Sequence, residues 1–157
     1  MGIVHARVDE RLIHGQVAMV WCRVTNCQRI VVANDDAVKN KMLANVLVMS
    51  KPAGIKLSIL SLNKTIEKFE TNFYGDENIL LITKTIDDMK ALYDRGLKIS
   101  SFNVGNVAGK NDSIMIKKSV WLTNEEIEVL RDLMSKGVMI TAQMLPDEPN
   151  CSIESYL

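Results

Sequence analysis

Two rhythms alternate along the chain: short β-like runs of apolar residues, and longer stretches with a helical period. Ile3 to Val8 is rich in β-forming residues and predicts a first strand. From Gly15 onward, Val17, Val20, Trp21 and Val24 fall at i, i+3, i+4 and i+7, one face of a helix. Residues 29–33 form a short apolar run, a second strand. Asn34-Asp35-Asp36 is an N-cap cluster opening one helix with Val38, Met42, Val46 and Met49 on its apolar stripe, stopped by Pro52-Ala53-Gly54. Further strands are expected at 55–60, 78–83, 98–104 and 138–144, with another extended segment at 114–122. A short helix is expected at 64–69. Capping-box patterns at Thr85/Asp88 and Thr123/Glu126 open helices that end before Gly96 and at Gly137. The polar stretch 105–112 reads as a loop, and the residues from about 146 as a short, loosely held tail.

Strands and helices alternating at these lengths predict an α/β fold: an open, mainly parallel sheet of about six to seven strands with helices on both faces. The wholly apolar interiors of the second and fourth strands suit strands covered on both sides. The 157 residues fit a single domain, 1–157, without repeats or linkers. Ligands of such sheets bind outside the carboxyl ends of the strands, which directs attention to the segment leaving the first strand.

Nineteen basic residues balance nineteen acidic ones, so no global field draws the chain to nucleic acid or to an anionic membrane. Three cysteines, Cys22, Cys27 and Cys151, lack the spacing of a disulfide framework and point to a reducing compartment, with Cys22 and Cys27 as small fillers around the first helix. No signal peptide and no apolar run long enough to span a bilayer is visible. The expectation is a cytoplasmic protein that reaches a membrane only by docking to other proteins, with no direct insertion.

Between the first strand and the first helix lies Arg7-Val8-Asp9-Glu10-Arg11-Leu12-Ile13-His14-Gly15-Gln16-Val17. Leu12 and Ile13 gain nothing from solvent. Folded inward, they would anchor the loop and fix where Arg11 and His14 point. A neutral imidazole nitrogen can attack phosphorus and form a phosphoramidate that is easily passed on. At a helix start the dipole disfavours imidazolium, while free backbone N–H groups receive the anion. Gly15 lets phosphate oxygens approach the backbone, and Gln16 offers a further N–H. Arg11 can bind two oxygens of a transferring phosphoryl group, and Arg7 adds positive potential. Asp9 or Glu10 orients Arg11 or the imidazole; the residues alone do not decide which.

The same residues admit a plainer account. A single histidine near a helix start is often structural, and Arg7 and Arg11 can simply pair with Asp9 and Glu10 on a solvated face. Asn34, Asp35 and Asp36 read first as a cap and second as a cleft rim; Asn103, Gly105 and Asn106 are further rim candidates. His5 reads as a packed strand residue, Lys110, Lys117 and Lys118 as a solvated face, and the methionines, Met19, Met42, Met49 and Met134 among them, as core filler. Histidine and cysteine spacing gives no metal site, and no glycine-rich nucleotide motif is present. No cofactor is expected.

The run Val8–Val17 resembles the active-site signature of the IIB components of the mannose-type (mannose/fructose/sorbose/N-acetylgalactosamine) family of the bacterial sugar phosphotransferase system. The similarity continues through Ile30–Asp36, Asn103–Asn106 and Ser119–Thr123 with Glu126 and Ile127; Val107 departs from the methionine of many relatives. The resemblance implies that His14 is the phosphorylated residue, through Nδ1, and that Arg11 supports transfer. It implies a IIA domain as phosphoryl donor and membrane IIC and IID subunits as the acceptor complex, where the sugar is phosphorylated as it enters. The length suits a free-standing IIB domain. The Asn103–Asn106 form is similar to the amino-sugar branch, although the sugar is bound by the membrane subunits. The alternative is a non-catalytic module that binds phosphoproteins or small anions on the same scaffold.

Overall fold

The computed structural model describes residues 2–149 and 152–157. Its strands and helices are β1 (Gly2–Asp9), α1 (Gly15–Thr25), β2 (Arg29–Ala33), α2 (Asp35–Lys39), α3 (Lys41–Ser50), β3 (Lys56–Leu60), α4 (Leu62–Glu70), β4 (Asn78–Thr83), α5 (Ile86–Asp94), β5 (Ser101–Asn106), β6 (Ile114–Lys117), β7 (Val120–Leu122), α6 (Asn124–Ser135) and β8 (Met139–Ala142). A 3₁₀ turn, Ile153–Tyr156, follows.

The main sheet runs β3-β2-β4-β1-β5-β8, and every neighbouring pair is parallel. Strand alternation divides its side chains between two cores. Ala6, Val8, Val31, Leu81 and Val104 face α4, α5 and α6, which contribute Leu62, Met89 and Leu130. Ile30, Val32, Leu80 and Ile82 face α1, α2 and α3, which contribute Trp21, Ala37 and Leu47. The doubly covered strands β2 and β4 are therefore apolar at consecutive positions, as expected.

The helix after β1 lies on one face, and the helix that carries the chain from β5 to β8 lies on the other. The crevice between the carboxyl ends of β1 and β5 is thus a topological switch point, the usual ligand position in such sheets. The β1–β5 register shifts between Val8 and Asp9, a bulge that re-aims the end of β1.

Several expectations are corrected. The helix predicted after Asn34 is two helices, broken at Asn40. Its side chain accepts from the N–H groups of Met42 and Leu43 and caps α3. The stripe Val38, Met42, Val46 and Met49 is exposed; Leu47 is the buried residue of α3. Met19, Met42 and Met49 are accordingly surface residues and not core filler. On α1 the buried positions are Ala18, Trp21 and Cys22, and Val24 faces outward. The segment 114–122 folds as the antiparallel pair β6–β7, and β5 continues through Gly105 and Asn106, positions expected in a loop. The tail is held: Ser152 bridges to Thr141, and Ile153 is fully buried among the residues under α4, α5 and α6. Cys22 and Cys27 are buried free thiols beside α1, whereas Cys151 lies outside the described residues.

Candidate active site

The loop from β1 to α1 is pinned at both sides. Leu12 and Ile13 are buried, as their apolarity requires. Leu12 takes a left-handed backbone (φ 61°), and its N–H donates to the Asp9 carbonyl at 2.9 Å, closing a tight turn. Glu10 turns the other way: its N–H donates to the Asn106 carbonyl, and its carboxylate accepts from the Ala108 N–H, both at 3.0 Å. Glu10 therefore fastens the loop to the segment after β5.

Asp9 is the centre of the charged cluster. Its side chain is 1% exposed, and it accepts from Arg7 Nη2 at 3.1 Å, Arg11 Nη2 at 3.0 Å, Arg11 Nε at 3.1 Å and the Arg11 backbone N–H at 2.9 Å. Of the two acids left open by the residues alone, Asp9 is the one that orients Arg11. Two guanidinium groups share one carboxylate, so the cluster keeps a net positive charge.

Arg7 is 2% exposed and also donates to Asn103 Oδ1 at 3.4 Å and to the Gln143 carbonyl at 3.2 Å. Burial pulls its pKa down, and the carboxylate of Asp9 opposes that pull. A guanidinium stays charged under such conditions, so Arg7 is a fixed internal cation. It is not a rim residue. Asn103 is 1% exposed, and Gly105 leaves the space in which the Arg7 guanidinium sits; both support Arg7 and neither forms a rim. Asp35 stands apart as well. Its carboxylate accepts from the Leu62 N–H at the start of α4, in an acidic group with Asp36, Asp87 and Asp88. Burial first, and then these neighbours, raise the Asp88 pKa.

His14 is the N-cap residue of α1, exposed, with extended backbone (φ −108°, ψ 114°) and no side-chain cap hydrogen bond. Among the described residues its ring makes no hydrogen bond. The first intrahelical bond runs from the Ala18 N–H to the His14 carbonyl at 2.8 Å. The N–H groups of Gly15, Gln16 and Val17 therefore lack intrahelical acceptors. Helices α2, α5 and α6 carry acidic residues in their first turns and a capping side chain; α1 has neither. An exposed imidazole, free helix N–H groups and an arginine held on a buried aspartate are each groups that can bind a tetrahedral anion.

Residues from the far end of the chain complete the cluster, and no local pattern announced them. Met144 Sδ accepts from Arg11 Nη2 at 3.2 Å and lies 3.9 Å from Arg7 Nη2. Trp21 Nε1 donates to the Met144 carbonyl at 2.9 Å. The Trp21 ring stacks on His5 at 4.2 Å between centroids, and the Arg7 guanidinium lies over it at 5.6 Å. The usable signal was topological: β8 borders β5, so its carboxyl end opens onto the same crevice. Among the described residues no group of histidine, cysteine and acidic side chains is placed to hold a metal ion.

The fold and site thus define an α/β domain with a parallel sheet, an exposed histidine at a switch-point helix start and an anchored arginine in the same loop. The family model described as "PTS system sorbose subfamily IIB component" matches residues 3–157, and the chain belongs to that family of sugar phosphotransferase system components. The sorbose-specific EIIB component of Klebsiella pneumoniae is 31% identical over 153 residues, covering 98% of this chain and 93% of that protein. The crystal structure of the IIBSor domain of the sorbose permease from the same organism superposes with a TM-score of 0.93 at 31% identity, over 99% of this chain and 96% of that one. The mannose-specific EIIAB component of Escherichia coli is 29% identical over 144 residues, 92% of this chain and 45% of that protein.

Proposed function

We propose that His14 accepts a phosphoryl group from a phosphohistidine on a IIA domain and passes it to a sugar during transport through membrane IIC and IID subunits. Two observations carry this reading: the exposed His14 ring makes no hydrogen bond among the described residues, and Arg11, three residues earlier in the same loop, has its guanidinium oriented twice over by the buried carboxylate of Asp9. Phosphoryl transfer depends chiefly on position and on stabilised charge. Arg11 supplies both, and the N–H groups of Gly15 and Gln16 add dipolar stabilisation. In the step itself the imidazole nitrogen–phosphorus bond forms while the donor's nitrogen–phosphorus bond breaks. The phosphoryl group resides transiently on Nδ1 of His14, and no other cofactor takes part.

A carrier must receive large partners, and the surface beside His14 suits them. Met42, Val46 and Met49 on α3 are 78%, 52% and 85% exposed. The last residue of α3 lies against the start of α1: Ser50 O is 3.5 Å from where a Cβ on Gly15 would stand. This apolar stripe, flanked by Lys39, Lys41 and Lys51, is the docking face for the phosphorylated donor. A IIA donor accords with the relative named an EIIAB component, of which this chain matches about half. Among the described residues no helix is long and apolar enough to cross a membrane, which accords with a proposed recruitment to the inner membrane face through the transporter subunits.

The test is incubation with a phosphorylated IIA protein, followed by ³¹P NMR and acid and alkali treatment. An acid-labile, alkali-stable phosphate on His14 Nδ1, absent from His14→Ala, supports the carrier reading. Labelling of His14→Ala equal to that of wild type overturns it, absence of covalent phosphate from wild type overturns it in favour of a non-covalent anion-binding module, and phosphorus on Nε2 overturns the nitrogen assignment alone.

A further inference from the structure

Met144 leaves β8 with its backbone held on both sides. Its N–H donates to Glu148 Oε2 at 3.1 Å, and its carbonyl accepts from Trp21 Nε1 at 2.9 Å. Glu148 is itself held by Lys117 Nζ at 3.5 Å, and Lys117 also donates to the Ala142 carbonyl at 2.9 Å. A thioether fixed in this way meets Arg11 Nη2 at 3.2 Å, the same nitrogen that binds Asp9 Oδ2. Arg11 thus has one charged acceptor that orients it and one soft acceptor at its side. Arg11 Nη1 donates no hydrogen bond among the described residues.

A phosphoryl group gripped through both Nη1 and Nη2 of Arg11 finds Nη1 open, but must take an Nη2 N–H from one of its two present partners, Asp9 or Met144. Taking one from a carboxylate would loosen the anchor that positions the arginine. A thioether sulfur is only a weak acceptor, and it gives up its hydrogen bond at little cost. We infer that Met144 is a positioning residue for Arg11: its sulfur holds the guanidinium in place in the empty site and yields to a phosphoryl oxygen while Asp9 keeps its grip. This inference rests on the phosphocarrier reading above. It assigns a role to a residue 133 positions away in the chain.

Protein carrying ¹³C-methyl methionine is phosphorylated with potassium phosphoramidate, whose ammonia leaves as the imidazole nitrogen–phosphorus bond forms. The Met144 methyl resonance, assigned through Met144→Leu, moves on phosphorylation of wild type and stays still in His14→Ala. Met144→Gln places a harder oxygen acceptor beside Arg11 and slows phosphorylation about tenfold, the scale of one competing hydrogen bond. Met144→Leu keeps the bulk, loses the acceptor and slows it about threefold. Thermal unfolding of both variants near the wild-type temperature excludes a collapsed loop; where the Gln variant does not fold, the wild-type methyl shift decides. An unmoved Met144 methyl on a protein phosphorylated at His14, or Leu and Gln variants that both react at the wild-type rate, overturns the inference and leaves the carrier reading standing. If His14→Ala is labelled as fast as wild type, the carrier reading fails, and this inference falls with it.

Discussion

The Arg7 guanidinium fills the space that a side chain on Gly105 would need: a Cβ there would stand 2.1 Å from Arg7 Cζ. The two residues lie on adjacent strands, β1 and β5, and a buried cation is possible on one because the other has no side chain. Gly105→Ala therefore expels or tilts Arg7, which cannot move without leaving Asp9 and the Gln143 carbonyl. The expected loss is about 2–4 kcal/mol of stability, measured by urea unfolding, together with a drop in His14 phosphorylation. An unchanged midpoint and slope would show that the strand pair relaxes freely.

Asp9 and Arg11 separate support from chemistry. Asp9→Asn leaves Arg7 buried without its counter-charge and costs about 3 kcal/mol. Arg11 is 32% exposed, so Arg11→Gln costs under about 1 kcal/mol in stability. Its effect falls on phosphoryl transfer, which slows about 10²–10³-fold, the scale of one lost charge-stabilising donor. Denaturation and stopped-flow phosphorylation, run on both variants, test the opposite rankings.

His5 makes stability depend on mild acid. Burial, and then the nearby Arg7 cation, lower its pKa from 6.5 to about 4, and its buried Nε2 has no hydrogen-bond partner among the described residues. Above pH 6.5 the ring is neutral in both the folded and unfolded chain and contributes no difference. As pH falls from about 6.5 to about 4, the unfolded chain takes up the proton first, so the folded state loses at most about 3 kcal/mol. His5→Phe, which keeps the stack on Trp21, is expected to flatten the stability profile across that window. Parallel profiles for the two proteins would assign the acid sensitivity elsewhere.

Met42→Asp and Met49→Asp place charge on the exposed stripe of α3. Neither side chain contributes to the core, so each variant is expected to unfold within about 0.5 kcal/mol of wild type. Phosphorylation by a IIA protein should weaken through KM by about tenfold for the pair, whereas phosphorylation by small phosphoramidate is unchanged. Equal loss with both donors would place the effect at His14 and not at docking.

Local chemistry made part of this legible in advance. The apolar runs of β2 and β4, the N-cap at Thr85, the capping box at Thr123, and the inward turn of Leu12 and Ile13 each follow from neighbouring residues. For Thr85, the cap is made by its own side chain on the Asp88 N–H. The helix after β2 was harder to read because it carries two apolar stripes. Met42, Val46 and Met49 form one, and Leu43 and Leu47 the other; periodicity shows that a face is apolar but not what covers it. Asn40 broke that helix because its side chain competes for backbone N–H groups. Met144 and Gln143 were invisible for another reason: they reach Arg7 and Arg11 through strand order, a property no sequence window contains. The rim roles expected of Asn103 and Gly105 became a cradle for Arg7 because a charge entering the sheet needs polar partners and room on the next strand.

The acidic group of Asp35, Asp36, Asp87 and Asp88 follows β2 and β4, while Arg7 lies near the end of β1 and Arg11 follows it. Since all these strands are parallel, both charges crown one end of the sheet, and the molecule carries a lateral polarity across the edge at which His14 is exposed. A negatively charged visitor is repelled from one half of that crown and drawn to the other, so it is rotated into register before any surfaces meet. In the proposed carrier, added salt shortens the reach of this torque and slows the encounter with a charged donor, while transfer from a neutral small donor keeps its rate.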